Sequence, residues 1–105
     1  MNTYGKGRYR VWLRKEQVGD DLVYLLGGGQ KPHIGAVSVC DPGKKPRSVH
    51  ASGHYDHVVT EMVARAAANK HGVRCVCAGG VHVDNATKAE IAVLVKNCRK
   101  LAEKA

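Results

Sequence analysis

The sequence predicts an α+β fold: a two-layer sandwich of order β-β-β-α-β-α, with a mixed sheet and both helices on one face. Three observations carry this. Strand-length runs, alternating or continuously apolar, fill the chain as far as Cys40. Two longer stretches repeat apolar residues at helical spacing. Between these stretches lies one more apolar run of strand length.

The elements follow in order. Residues 9–14 alternate like a half-buried strand, and Val18-Gly19-Asp20-Asp21 reads as a turn. Residues 22–26 form a short apolar run that fits a central strand, and Gly27-Gly28-Gly29-Gln30-Lys31-Pro32 breaks it as a flexible hairpin loop. Residues 34–40 make a third strand, closed by Asp41-Pro42-Gly43. Joints this short suit an antiparallel meander of three strands. Residues 44–47 read as a solvated basic loop. A helix starting near His54 or Asp56 runs to His71, with rows Val58–Met62–Ala66 and Val59–Val63–Ala67, and Gly72 suits its C′ position. Residues 73–78 are the fourth strand, ended by Gly79-Gly80. Strand three, helix and strand four then form a parallel βαβ crossover. The last helix covers residues 87–104 with a stripe of Ile91, Leu94, Val95, Cys98, Leu101 and Ala102. Thr87 and Glu90 fit the N-cap and N3 positions of a capping box.

Composition narrows the class. The 105 residues suit one domain, 1–105, with one modest core, and the lack of phenylalanine makes that core aliphatic and alanine-rich. A net charge of +8 favours anionic partners. No run reaches membrane-spanning length and the opening MNTYGKGRYR has no apolar leader region, so a cytoplasmic protein with no membrane partner is expected. Cys40, Cys75, Cys77 and Cys98 then read as reduced thiols. The C-x-C spacing of Cys75 and Cys77 puts both on one strand face, as small buried residues rather than a metal pair.

The chemistry gathers at two helix beginnings. Gly79 and Gly80 let a ligand approach backbone, and the joint after them carries His82, Asp84 and Asn85 before the helix opens at Thr87 and Lys88. Helix N-termini bind anions through their N–H groups and dipole. Capping alone can explain Asn85 or Thr87, but it needs no imidazole, which singles out His82. The second beginning, Ser52-Gly53-His54-Tyr55-Asp56-His57, has the same shape. On a helix, His54 and His57 lie at i, i+3 and His57 and Glu61 at i, i+4, so the three can share a face and bind a divalent first-row metal. His33 is either another ligand-facing imidazole or an edge residue. His71, at a helix C-terminus, is structural.

Three segments, GGGQKPHIGAVSV (27–39), SGHYDHVVTEMVA (52–64) and GGVHVDNATKAEI (79–91), together resemble the prenylated-flavin chaperone family, the LpdD-like domain. The resemblance extends in order over nearly the whole chain. It implies binding of prenylated flavin mononucleotide, or of FMN itself, with a divalent metal ion. It also implies maturation or delivery of that cofactor to a UbiD-type decarboxylase, of the kind that acts on hydroxybenzoates such as gallate. Under this reading the cofactor contacts are His33, Ile34, Ser52, Gly53, His54, Tyr55, Gly80, His82, Asp84, Asn85, Thr87 and Lys88. The metal set is His54, His57, Glu61 and His82. Ile34, Val37, Tyr55 and Val81 are candidates for an apolar wall along the rings. Bound flavin on so small a chain would be partly exposed, which points to a homo-oligomer with a cleft between subunits.

Such a carrier is not expected to be an enzyme, and the sequence offers no evident nucleophile–base pair. Two rival classes remain open. One is a small metal-dependent hydrolase using His54, His57 and a carboxylate to activate water. The other is a nucleic-acid-binding module, which +8 favours and the scatter of the basic residues opposes.

Overall fold

The computed structural model describes residues 1–51 and 56–105 of the chain. Six strands and two helices follow in the order β1 (Asn2–Tyr4), a 3-10 turn (Gly7–Tyr9), β2 (Val11–Val18), β3 (Asp21–Gly29), β4 (Ala36–Cys40), β5 (Arg47–His50), α1 (Asp56–His71), β6 (Cys75–His82) and α2 (Lys88–Glu103). One mixed sheet has the order β1-β2-β3-β6-β4-β5, in which only β3 and β6 are parallel. Both helices pack on the same side of it, giving the expected α+β sandwich. No helix among the described residues is long and apolar enough to cross a membrane.

The hairpin β2–β3 turns through Gly19 and Asp20 as expected, with Val18 opposite Asp21. The meander stops there. β4 does not pair with β3; β6 slides between them, parallel to β3 and antiparallel to β4. The run β4–α1–β6 is therefore not a parallel crossover. The physical reason lies in β6. It is apolar on both faces, so it occupies the middle of the sheet, and residues 30–35 are long enough to carry the chain across the gap left for it. β3 and β6 also outrun the expected boundaries. Gly27–Gly29 is strand, not loop, paired on one side to β2 and on the other to Gly80, Val81 and His82. A Cβ at Gly27 would lie 2.3 Å from Cζ2 of Trp12, so this glycine makes room for the indole.

Two short edge strands add to the expected order. β1 and β5 have only three and four residues. Arg47, expected in a loop, begins β5 opposite Val39. Short, polar edge strands are a common way to close a sheet without inviting further pairing, and they leave little alternation to read.

On α1 the inward face is Val59, Thr60, Val63, Ala64, Ala67 and Ala68. The Val59–Val63–Ala67 row of the expected stripe points into the core; in the other row Met62 and Ala66 pack against the core partly buried, while Val58 is exposed. Small side chains here let the helix sit close to the sheet. On α2, Leu94, Cys98, Leu101 and Ala102 are buried, but Ile91 is half exposed. Asn97 joins them as a buried polar residue, donating from Nδ2 to the Tyr9 carbonyl at 2.8 Å. All four cysteines are buried and free. Burial raises the Cys98 thiol to about 12 and pushes Cys77 higher still.

The capping box at the start of α2 is present in both directions. Glu90 N–H donates to Thr87 Oγ1 at 3.2 Å, and Thr87 N–H donates to Glu90 Oε1 at 3.0 Å. The other Glu90 oxygen accepts from Tyr9 Oη at 2.7 Å and from Arg8, tying the N-terminal segment to the helix start. These donors, Thr87 N–H first, then Tyr9 and Arg8, hold the Glu90 carboxyl down at about 2. Removing the cap by Thr87→Ala should cost about 1 kcal/mol, a fall in Tm of roughly 4–8 °C for a chain of this size. A carboxyl depressed in the folded state stabilises fully above its unfolded value of 4.5, and that contribution fades as pH falls toward about 2. Melts across this window should therefore show Glu90→Gln losing less stability on acidification than the native chain.

Candidate functional site

The first residue of α1, the end of β6, the turn after it and the first turns of α2 enclose a cleft of about 470 Å³. Its walls are mainly apolar: Val58 and Val59 from α1, Val81 and Val83 from the β6 end, and Ile91, Leu94 and Val95 from α2. Three polar side chains, Asp56, His82 and Asn85, join them. Apolar walls with a few convergent polar groups are the usual form of a small-molecule site. The two helix beginnings singled out in the sequence thus meet at one cavity.

Asp56 is the residue that sequence reasoning missed. It opens α1 yet is only 6% exposed. Its Oδ1 accepts from the Val81 N–H at 3.2 Å, and its Oδ2 lies 2.8 Å from His33 Nε2. His33 Nδ1 faces the Lys31 carbonyl at 3.1 Å. A carbonyl only accepts, so Nδ1 donates there, and Nε2 is left facing the Asp56 carboxylate. The pocket for this carboxylate is made of glycine. A Cβ on Gly35 would lie 1.9 Å from Asp56 Oδ2, and one on Gly80 would lie 2.9 Å from Asp56 Cγ and 3.0 Å from His33 Nε2. The signal was present in the sequence as an acidic residue at a helix start between two histidines, but its two glycine neighbours are remote in the chain.

His82 stands at the cleft wall, with its ring edge-to-face to His33 at 6.3 Å between centroids. Its Nε2 is 3.0 Å from Asp84 Oδ1, which also takes Lys31 Nζ at 3.4 Å. These contacts, the His82 bond first, hold the Asp84 carboxyl below the usual carboxylate range. The Asp84 N–H donates to Gln30 Oε1 at 2.8 Å, and the His82 carbonyl accepts from the Gln30 N–H at 2.7 Å. The loop after β3 thereby fixes the joint after β6. Asn85 takes φ +52, a left-handed turn position that asparagine tolerates.

The remaining expected site residues divide. Gly80 lies beneath Asp56, Thr87 caps α2, and Lys88 is its first residue. Ile34 is 58% exposed and does not line the cleft. Val37 stands on the sheet face turned away from the helices, paired with Ala78 and Val49, so it makes no wall here. Ser52, Gly53, His54 and Tyr55 lie outside the described residues. His57 and Glu61 line a different cleft, of about 510 Å³, with Pro46, Met62 and Arg65. There His57 stacks on His50 at 4.3 Å. Glu61 accepts from Ser48 Oγ at 2.5 Å, at the end of a hydroxyl chain through Ser38 to Thr60. Glu61 and His57 therefore do not meet His82. Among the described residues no group of three or more His, Cys, Asp or Glu side chains can hold a metal ion.

The glycine cradle makes a testable claim. Asp56→Ala should cost about 1–3 kcal/mol by stranding its partners, and Gly35→Ala a similar amount by overpacking the carboxylate. The clash disappears when the carboxylate does. The double variant should then be less destabilised than the sum, with a coupling of about 1 kcal/mol or more in urea unfolding. Strict additivity would show that the two residues do not compete for one space.

Comparison with known proteins identifies the family. Residues 5–105 match the family model described as the prenylated flavin chaperone LpdD-like domain. A curated relative, Protein LpdD from Lactiplantibacillus plantarum (strain ATCC BAA-793 / NCIMB 8826 / WCFS1), is 29% identical over 95 residues, which cover 86% of this chain and 70% of that protein. With the family match spanning all three glycine- and histidine-bearing segments and the helix starts they feed, the chain belongs to the prenylated flavin chaperones of the LpdD-like type.

Proposed function

We propose that this chain, acting as one domain, binds prenylated flavin mononucleotide in the α1–β6–α2 cleft and passes it to a UbiD-type decarboxylase. The observation that carries the reading is the cleft itself, which joins the two helix starts and sets Asp56, His82 and Asn85 among apolar walls. A ring system needs such walls, and its polar edge needs a few placed donors and acceptors. The flavin would supply its chemistry in the decarboxylase, and the chain would supply the holding. Val81, Ile91 and Leu94 would flank the rings and exclude water. His82, steadied by Asp84 and Lys31, would meet the polar edge. The phosphate would fall to the start of α2. There the capping box already uses the amides of Thr87 and Glu90, so Lys88 and Ala89 are the groups left to meet an anion. Lys31 and Lys88 add positive charge close by.

The metal is not part of this reading, because the described residues assemble no ligand set for one. The hydrolase alternative would use His54, which lies outside the described residues, with His57 and Glu61 in the second cleft. A homo-oligomer remains the proposed assembly, but the cavity is built within one chain.

Co-expression with a flavin prenyltransferase, followed by absorbance and mass spectrometry of the purified protein, tests the reading. A stoichiometric prenylated flavin is the expected result, and a colourless protein would sink it. Removing a hydrogen bond to a charged group by His82→Ala should weaken flavin binding about tenfold or more. His57→Ala, in the other cleft, should leave it unchanged. The opposite pattern would move the site to the second cleft.

A further inference from the structure

The sheet has a second face, and both helices lie on the other one. The register places two cross-strand rows on it. One row runs Arg14–Leu25–Ala78–Val37–Val49, and the next runs Glu16–Val23–Val76–Val39–Arg47. Seven of these ten residues are apolar, and Val49 is 72% exposed. Four interstrand steps of about 4.8 Å make each row roughly 19 Å wide. The other six apolar residues are partly exposed, so the rows give an open sheet face an unbroken apolar centre, a form that suits an interaction surface.

We infer that this face is the contact between two copies of the chain, related by a two-fold axis running along the strands. The charges at the ends of the rows choose the occupant. Glu16 and Arg47 stand at opposite ends of a single row. A two-fold parallel to the strands reverses the order of the strands and keeps each row in place. It therefore sets Glu16 of each copy beside Arg47 of the other, twice over. The same operation lays the apolar middle of each row on its own counterpart, with strands aligned as in packed β-sheets. Glu16 now pairs with Arg14 at 3.0 Å and Arg47 with Asp41 at 3.6 Å, both in exposed positions where such pairs exchange at little cost.

The net charge points the same way. Two chains of +8 repel each other across most of their surfaces. On these two rows the sum is only +1, from Arg14 and Arg47 against Glu16. Lys88, Lys96, Arg99, Lys100 and Lys104 all lie on or beside α2, beyond the sheet. Such a dimer leaves the cleft between α1 and α2 facing outward on each copy. The inference is independent of what that cleft binds.

Sedimentation across a dilution series, read against the 11.3 kDa chain mass, tests it. The native protein should run at twice that mass. Val49→Lys, which sets a cation against Arg14 of the other copy, should weaken the dimer at least about tenfold. Glu16→Arg and Arg47→Glu should each weaken it several-fold, and the double exchange E16R/R47E should restore it. Circular dichroism spectra below the melting transition and flavin retention should be unaltered in the single variants. A native protein that stays at 11.3 kDa overturns the inference, as does a dimer indifferent to Val49→Lys or a double exchange that restores nothing. If the native chain is monomeric and Val49→Lys instead abolishes activation of the decarboxylase, the face belongs to that enzyme and the inference is also overturned.

Discussion

A carboxylate taken out of water needs partners at close range, and Asp56 is such a carboxylate. Most of the site follows from how that need is met. The Val81 N–H is available because β6 runs on past the start of β4, leaving part of its backbone beyond the antiparallel pairing. His33 is available because the connection from β3 to β4 must cross β6, which brings the imidazole over the strand end. Gly35 and Gly80 supply the space. The same carboxylate opens α1, where a negative charge is favoured by the helix dipole. One buried group thus fixes the height of α1 against the sheet, the path of residues 30–35 and the floor of the cleft.

Local features of the fold were legible, while the order of strands was not. The capping box at Thr87 and Glu90 needs only residues three apart, and it stands as read. The hairpin at Gly19 and the end of α1 at Gly72 are equally local. Which strand neighbours which is a non-local choice. Short joints made a meander of β2, β3 and β4 the economical reading, yet β6 carries Cys75, Cys77 and Val76 on both its faces and fits best where both are covered. Gly27–Gly29 misled for a related reason. Three glycines look like a loop in isolation, but they are strand residues beside β6, and Gly27 among them leaves the room that Trp12 fills.

The site was legible as two segments and illegible as a set of contacts. His82 and Asn85 line the cleft, and Gly80 and His33 meet beside Asp56, one of its lining residues. Helical spacing also put His57 and Glu61 on one face, and they do share a cleft. What spacing does not reveal is which way that face turns. Because Val59 and Val63 point to the core, Glu61 swings toward β5 and the Ser48 hydroxyl rather than toward His82. The rotation of α1 about its axis separates the two groups, and that rotation is set by the alanines packed beneath it.

A small carrier must hold a large, partly apolar cofactor and still release it. An enclosed site would favour holding at the expense of release. Here the sheet spends one face on the core and the helices, so the cleft can only open between helix starts, at the rim of the fold. Eight positive charges in excess on so small a chain draw an anionic ligand toward that rim and, at the same time, oppose self-association. The outer sheet face resolves this conflict, because its charges nearly cancel and its centre is apolar. Pairing there would bury an apolar stretch of the sheet, and would leave the cleft of each copy turned outward. Binding and assembly then use opposite sides of the same six strands, so neither has to yield when the other changes.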